Sequence, residues 1–473
     1  MLLICVIDVL VVAILVYIAT TKSLEAALPF FVFVLTLVPG ESRIPLPGLF
    51  DLTTQRVATI VLLALYLAFG KKNSGEEQTQ ASPLKYLILL ILGWGLVSTL
   101  NSGVFTTSLK TVLSNALDFY LLYYIITKSV TCTETVHKVL RAFIAALVVC
   151  CIFGWFEAYF GWNVIDLFPV VVHRFTAGQG GLLSDDGRVH STFPHSILFG
   201  NALALGIPWA LYFLTLAKTT LQKSWLWMAI LLMFWNLYKT MSRGPWLALI
   251  LSAILLMLFA EPRIRKYLLV ISLMTISVLI IRPGVWTTLV NTYAETNDPD
   301  SARGSSYQYR YDLMHEAEKA LGNDVGRLAW GFGPGSFYYL HLQGVDPNTG
   351  HVEQFDSCDS AFVDIMVETG YIGLLLVIAL LLKAFFVSLK GFTNLPKPTN
   401  SLCLMFLISL VAYSFMMISV MNWGWGQQSY MLWVVLALSC AYPRLVLSEE
   451  VVPQQIVAHQ VESRGRFANL VTN

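Results

Sequence analysis

Uncharged apolar runs recur along the whole chain, and they leave it few choices of fold. The stretches 57–69, 401–420 and 431–441 carry no charged residue. They fill, or sit inside, windows of the ~17–25 residues that cross a hydrocarbon core. Lipid offers backbone groups no hydrogen-bond partner, so each such run must be helical. Only 12% of the 473 residues are charged and 56% are hydrophobic, against the ~25% charged share of a soluble domain. The reading is an all-α polytopic membrane protein of about 12–13 transmembrane helices.

Spans are expected at 2–19, 25–39, 53–69, 84–100, 108–127, 137–157, 196–216, 224–240, 245–259, 266–282, 361–386, 401–421 and 428–445. The first contains Asp8 and lacks a basic leader and a small-residue cleavage site, so it reads as a retained helix. Pro29, Pro39 and Gly40 weaken the second, which leaves a re-entrant pair as an alternative for the first two. The domain plan is transmembrane helices over 1–282 with a medium loop at 158–195, a large loop over 283–360, C-terminal helices over 361–446 and a polar, mobile tail over 447–473.

Orientation follows from which alternate loops carry lysine and arginine. One set holds Lys22, Lys71, Lys72, Lys128, Lys218, Lys223, Arg263, Arg265, Lys266, Lys390 and Lys397, and the tail adds Arg444, Arg464 and Arg466. That set is expected in the cytoplasm, with the N-terminus outside and the C-terminus inside. Both long polar loops then fall outside, as do the turns bearing Arg56 and Arg243. Arginine on the outer face runs against the orientation bias, and several together point to an anion site, although any one could instead snorkel or cap a helix. A formal net charge of +1 provides no field for nucleic acid. Cys5, Cys150, Cys151, Cys403 and Cys440 lie in apolar runs, Cys132 in a short loop and Cys358 alone in the large one, so there is neither a disulfide framework nor a zinc spacing.

Within the large loop, Tyr307, Tyr311, Met314, Ala317 and Leu321 recur at helical spacing, which predicts a short amphipathic helix over 305–321 with Arg310 beside its apolar stripe. Gly331, Gly333 and Gly335 follow in a turn with Phe332 and Pro334; such glycines permit close backbone approach, to a ligand or simply within a turn. Asp364 and Glu368 sit four apart, on one helical face. Trp423, Trp425 and Tyr430 read as an interfacial aromatic belt or as sugar-stacking rings. Asp298 and Asp300 flank Pro299 in turn chemistry, and His341 and His351 lack the spacing of a metal pair. No metal site or cofactor is expected.

Three outer stretches stand together: Gly187 to His195, Met241-Ser242-Arg243-Gly244-Pro245, and Asp359 to Gly370. With Arg56, Arg310 and the 331–337 turn, in this order, they resemble the O-antigen ligase and Wzy-type polymerase family of bacterial envelope glycosyltransferases. That resemblance implies a GT-C-like fold in the bacterial inner membrane. It implies a metal-independent, inverting transfer of glycan from a polyprenyl-diphosphate carrier to a glycan or lipid acceptor, with membrane lipid around it and chain-length or export proteins as partners. Arg188, Arg243 and Arg310 would stabilise charge growing on the diphosphate. Arg56, His190, His195, Gly333, Gly335, Ser360 and Glu368 would line the substrate site.

The ligase pattern has a histidine followed by Asn, Ser or Gln eleven residues before a glycine, where this chain has Asp359-Ser360 before Gly370. Asp359 is the expected proton acceptor, with helix capping as its alternative role and His190 or His195 as alternative bases. The departure favours a polymerase over a ligase. A solute transporter is the rival of another class; no half-to-half repeat supports it.

Overall fold

The computed structural model describes residues 1–46, 50–69, 82–168, 188–281, 302–345, 352–355, 357–424 and 426–471, with the single positions 290 and 294. The expectations for Lys71, Lys72, Asp298, Asp300, His351 and Trp425 therefore lie outside the described residues. The helices are α1 (Leu2–Thr21), α2 (Leu24–Leu37), α3 (Thr54–Phe69), α4 (Lys85–Leu100), α5 (Phe105–Asn115), α6 (Leu121–Ser129), α7 (Thr133–Phe160), α8 (Ser196–Leu216), α9 (Thr220–Lys239), α10 (Arg243–Phe259), α11 (Pro262–Ile281), α12 (Ala302–Gly322), α13 (Val325–Trp330), α14 (Ala361–Asn394), α15 (Asn400–Met416) and α16 (Gly426–Val471). A single π-helical turn, Ala116–Tyr120, joins α5 to α6. Two antiparallel hairpins, β1 (Arg43–Ile44) with β2 (Leu52–Thr53) and β3 (Gln343–Val345) with β4 (Val352–Gln354), and the short 3-10 turns Val164–Leu167 and Phe337–Tyr339 complete the described elements.

The chain is an all-α polytopic membrane protein. Every predicted span is helical, and five helices are long and apolar enough to cross a bilayer by length and composition alone: α1, α7, α8, α14 and the 426–449 part of α16. Five shorter apolar helices, α2, α3, α4, α10 and α15, accompany them. In the most apolar window of α8, 94% of residues are buried, against 28% for α1. Thus α8 is a core helix and α1 a peripheral one. Trp209 of α8 donates its indole N–H to Ser409 Oγ of α15 at 2.8 Å, so even this polar atom is satisfied inside the bundle. The outer faces expose Leu2, Val9, Leu258, Leu375 and Phe386, side chains that suit lipid rather than water.

The two sets of alternate loops separate to opposite ends. At one end Glu25 accepts hydrogen bonds from the Thr131 and Cys132 N–H groups at 2.9 and 3.2 Å. There too Glu449 accepts from Thr133 N–H at 2.7 Å, and Ser401 Oγ meets Glu261 at 2.7 Å. At the other end Gln427 donates to the carbonyls of Val38 (3.2 Å) and Thr192 (2.6 Å). Helix α2 has Glu25 at the first end and Val38 at the second, so it crosses the bundle despite Pro29 and is not half of a re-entrant pair.

Helix α14 is interrupted at Gly370, where φ is 69° and ψ is −177°. The break releases carbonyls that an unbroken helix would use, and each finds another donor. Val367 O accepts from Phe332 N–H at 2.9 Å, and Glu368 O accepts from Gly333 N–H at 2.8 Å and Ser98 Oγ at 2.7 Å. Thr369 O accepts from Trp94 Nε1 at 2.8 Å. The glycine turn of the large loop is thus wedged between α14 and α4 as a replacement for helical hydrogen bonds.

Several local expectations differ from the structure. The buried seam of α12 is Leu313, Ala317 and Leu321, joined by the partly buried Tyr309, while Tyr311 and Met314 face outward. The cause is that the spacing of the apolar residues allowed two overlapping stripes, and packing on α13 and α14 selected one. Tyr430 is no interfacial belt residue: it is buried with its ring 5.2 Å from Phe119. A residue at 370 with φ near +70° and ψ near 180° must be glycine, because other residues reach that region only at a cost of about 1–3 kcal/mol. A Cβ there would also run into the Ala329 carbonyl. Gly370→Ala is expected to lower the melting temperature in detergent by several degrees, whereas Gly40→Ala, where a Cβ meets nothing within 4 Å, is expected to leave it unchanged.

Candidate functional site

Three helices start in one neighbourhood at the end of the bundle where Gln427 lies: α8, α10 and α14. Their first turns touch. A Cβ on Gly200 of α8 would lie 2.7 Å from Pro245 of α10, and one on Gly244 would lie 3.0 Å from Ser419 Oγ. The Ala361 N–H that opens α14 donates to Met417 O at 2.9 Å, in the same 417–419 turn. Helix N-termini present unpaired N–H groups and partial positive charge, so three together favour an anion.

Arginines reinforce this. Arg188 donates from Nε to Thr240 O at 3.1 Å and from Nη2 to Ser242 Oγ at 2.8 Å, which pins it to the turn before α10. Arg243 is the first residue of α10. Arg310, on α12, donates from Nη2 to Asp359 Oδ2 at 3.1 Å, directly before α14. His195 lies among them: burial, then the charges of Arg188, His190 and Arg310, push its imidazole down to about 3. Its Nδ1 accepts from Ile197 N–H at 3.1 Å and caps α8. A neutral ring so arranged carries its proton on Nε2, and it can donate to an oxygen but not serve as a base.

His190 is held differently. Its Nδ1 faces Phe193 O at 2.9 Å and its Nε2 faces Glu157 at 3.3 Å, so both ring nitrogens are engaged. Glu157 also accepts the backbone N–H of His190 (3.2 Å) and of Ser191 (2.7 Å). Ser191 has φ of 56°, and such a turn aims successive N–H groups at one anion. Met241, just before Ser242 and Arg243, has φ of 47°. Left-handed backbone at non-glycine residues costs energy and tends to gather at functional sites; here it flanks the two stretches that carry Arg188 and Arg243.

Asp359 is not the cap of α14. Ser360 is, accepting from Val363 N–H at 3.5 Å, which leaves Asp359 to Arg310 and to Ser357 Oγ, each at 3.1 Å. Asp359 keeps about a third of its side chain exposed (32%), enough to be reached from outside. Ser360 also contacts Met417 O, so its role here is structural.

Other sequence candidates stand apart from this cluster. Arg56 grips Asp118 through Nε and Nη2 at 2.8–3.0 Å, with the Phe50 ring 5.1 Å away, and so anchors α3 to the π-helical turn. Gly333 and Gly335 have φ of 103° and 76°, and Ser102, Ser108 and Thr111 occupy the space a Cβ would need; their close approach is to protein. Glu368 receives the N–H groups of Gly335 and Phe337 and shares a cavity of about 60 Å³ with Asp364, Asn115, Trp94 and Trp423. Among the described residues no three His, Cys, Asp or Glu side chains are grouped as metal ligands.

The sequence reading missed Glu157, Gln427 and Asp118. Glu157 and Asp118 did leave a signal, as acids inside apolar spans. Gln427 left none, because a glutamine that stitches two loops through their carbonyls looks like any other.

Residues 228–378 match the family model for O-antigen ligase. The match begins in α9, ends in α14 and contains Arg243, Arg310, Gly333, Gly335, Asp359, Ser360 and Glu368; it bears out the family resemblance over that stretch. No curated protein matches the chain.

His195 offers a pH test. Its folded-state pKa is depressed, so the unfolded chain takes up a proton first as pH falls below ~6.5, and stability present above that value is lost progressively down to about 3. The melting temperature is expected to drop between pH 7 and pH 4, and less so in His195→Asn, whose amide oxygen can still cap α8. An equal drop in both proteins would contradict the burial of a neutral ring.

Proposed function

We propose that this chain, with its O-antigen ligase match over residues 228–378, transfers lipid-diphosphate-linked glycan to a growing polysaccharide at the outer face of the cytoplasmic membrane. One observation carries the reading: three helix N-termini meet where Arg188, Arg243 and Arg310 are placed, with Asp359 bonded to the last. A site of that composition binds a leaving diphosphate and keeps a carboxylate beside it.

The chemistry is a direct displacement. The acceptor hydroxyl oxygen attacks the anomeric carbon as the bond from that carbon to the diphosphate oxygen breaks, and the electron pair leaves on the diphosphate. The hydroxyl proton passes to Asp359. Attack opposite the leaving group inverts the anomeric centre. Negative charge on the diphosphate is greatest after bond cleavage, so fixed guanidinium groups and helix termini stabilise the transition state more than the ground state. Their charge does the work a metal does elsewhere, without requiring one. His190 and His195 are poor bases, the first because both nitrogens are engaged and the second because its lone pair caps α8, which leaves Asp359 in the role. His195 Nε2–H suits a phosphate or sugar oxygen.

A ligase that moves finished glycan to a lipid or protein acceptor is the second reading, favoured by the family description itself. Asp359 in place of the ligase histidine favours the polymerase. The two differ in product. Purified protein in lipid, given a polyprenyl-diphosphate-linked repeat unit and no metal, is expected to yield a ladder of masses spaced by one repeat. Asp359→Ala and Arg243→Ala are expected to cut the rate by about 10²–10⁴ and 10²–10³ respectively. A single transfer that requires a separate acceptor would identify a ligase, and no transfer under either condition would reject both readings.

A further inference from the structure

Near the arginine cluster, Glu41 Oε2 and Arg43 Nε are among the buried side-chain atoms with no partner among the described residues. After α2 the chain turns through Pro39 and Gly40 into the β1–β2 hairpin, with Ser42 N–H donating to Pro39 O at 3.0 Å and Arg43 N–H to Glu41 O at 2.8 Å. The segment is fixed against the site. Gln427 joins Val38 O to Thr192 O, and Gln55 Nε2 donates to Val38 O at 2.6 Å. Residues 38–43 therefore lie alongside the 188–195 stretch, and Glu41 feels the charges of Arg43 and His190.

Glu41 Oε2 is shielded from solvent and accepts no hydrogen bond from the described residues; Arg43 Nε is shielded too and donates none. Arg43 Nη1 pairs with Asp51 at 3.2 Å. Burial pushes the Glu41 carboxyl above the usual carboxylate range. Unmade hydrogen bonds of this kind cost about 1–3 kcal/mol each, and buried orphans in native structures call for an occupant. An acceptor and a donor, two residues apart, match a group that both donates and accepts. A phosphate cannot donate when ionised and is repelled by a carboxylate. A sugar hydroxyl meets both demands.

We infer that Glu41 is an acceptor-binding residue whose Oε2 takes a hydrogen bond from a hydroxyl of the incoming glycan, while Arg43 Nε–H donates to an oxygen of the same sugar. This rests on the glycan-transfer reading and assigns its acceptor side to the 38–53 hairpin, opposite in chemistry to the arginines that suit the diphosphate.

The test uses the full-length protein in lipid nanodiscs. The repeat unit of the host's own polysaccharide serves as donor on undecaprenyl diphosphate and, released as free oligosaccharide, as acceptor. Glu41→Ala and Glu41→Gln are expected to raise the acceptor KM about ten-fold or more, the loss of one hydrogen bond of ~1.4 kcal/mol. The rate at saturating acceptor and the binding of undecaprenyl diphosphate alone should stay within about three-fold. Glu41→Gln keeps the side-chain shape, so it remains informative should Glu41→Ala fail to fold. Acceptor KM unchanged in both variants, or loss of undecaprenyl diphosphate binding instead, overturns the assignment while leaving glycan transfer intact. Absence of transfer by the wild-type protein removes both.

Discussion

Backbone groups within a bilayer can bond only to the protein, and the architecture at the end that gathers the arginines follows from that constraint. Where helices run unbroken the requirement meets itself. Where they stop or break, side chains must supply the donors. Gln55 serves Val38 O, Gln427 serves Thr192 O, Gln428 serves Leu198 O, Ser98 and the 332–333 backbone serve the carbonyls freed at Gly370, and Arg188 serves Thr240 O. Each of these bonds joins segments distant in sequence. A site built from loops of a membrane protein is held in place in this way by the same bonds that let those loops exist.

Charge is arranged on that frame in two manners. Arg56 with Asp118 is a buried pair, and with the Arg43–Asp51 and His190–Glu157 contacts it fixes the mutual positions of α3, the π-helical turn, the hairpin and α7. Arg188 is oriented by the Thr240 carbonyl and the Ser242 hydroxyl. Arg310 and Asp359 form a pair that is likewise partly exposed, at 25% and 32%. The left-handed backbone at Ser191 and Met241 lies on the two stretches that deliver the arginine and histidine groups, while His341, also left-handed, lies in the large loop.

The bundle was largely legible because its signal is local. A run such as 401–420 contains too few charges to be anything but a helix in lipid, and α15 is one. The separation of loops into two ends was also readable, since it needs only the order of spans. What misled was any reading that depended on a helix's angular setting. Tyr311 and Met314 have the right spacing for a seam, yet Leu313, Ala317 and Leu321 have it too, and only packing on α14 chooses. Tyr430 and Trp423 look interfacial by composition, yet they face Phe119 and Trp433 inside the bundle.

The sequence by itself determined a helical membrane protein and the grouping of its loops, and it named the arginines and the aspartate proposed above for the diphosphate, because hydropathy and residue type are properties of each position alone. Tertiary structure decided which of those charges meet. It spent Arg56 on Asp118, gave the cap of α14 to Ser360 and so released Asp359 to Arg310, packed the glycine turn against α4 and α5, and brought Glu41 beside His190. Those outcomes rest on distances between residues tens to hundreds of positions apart, and no local pattern encodes a distance.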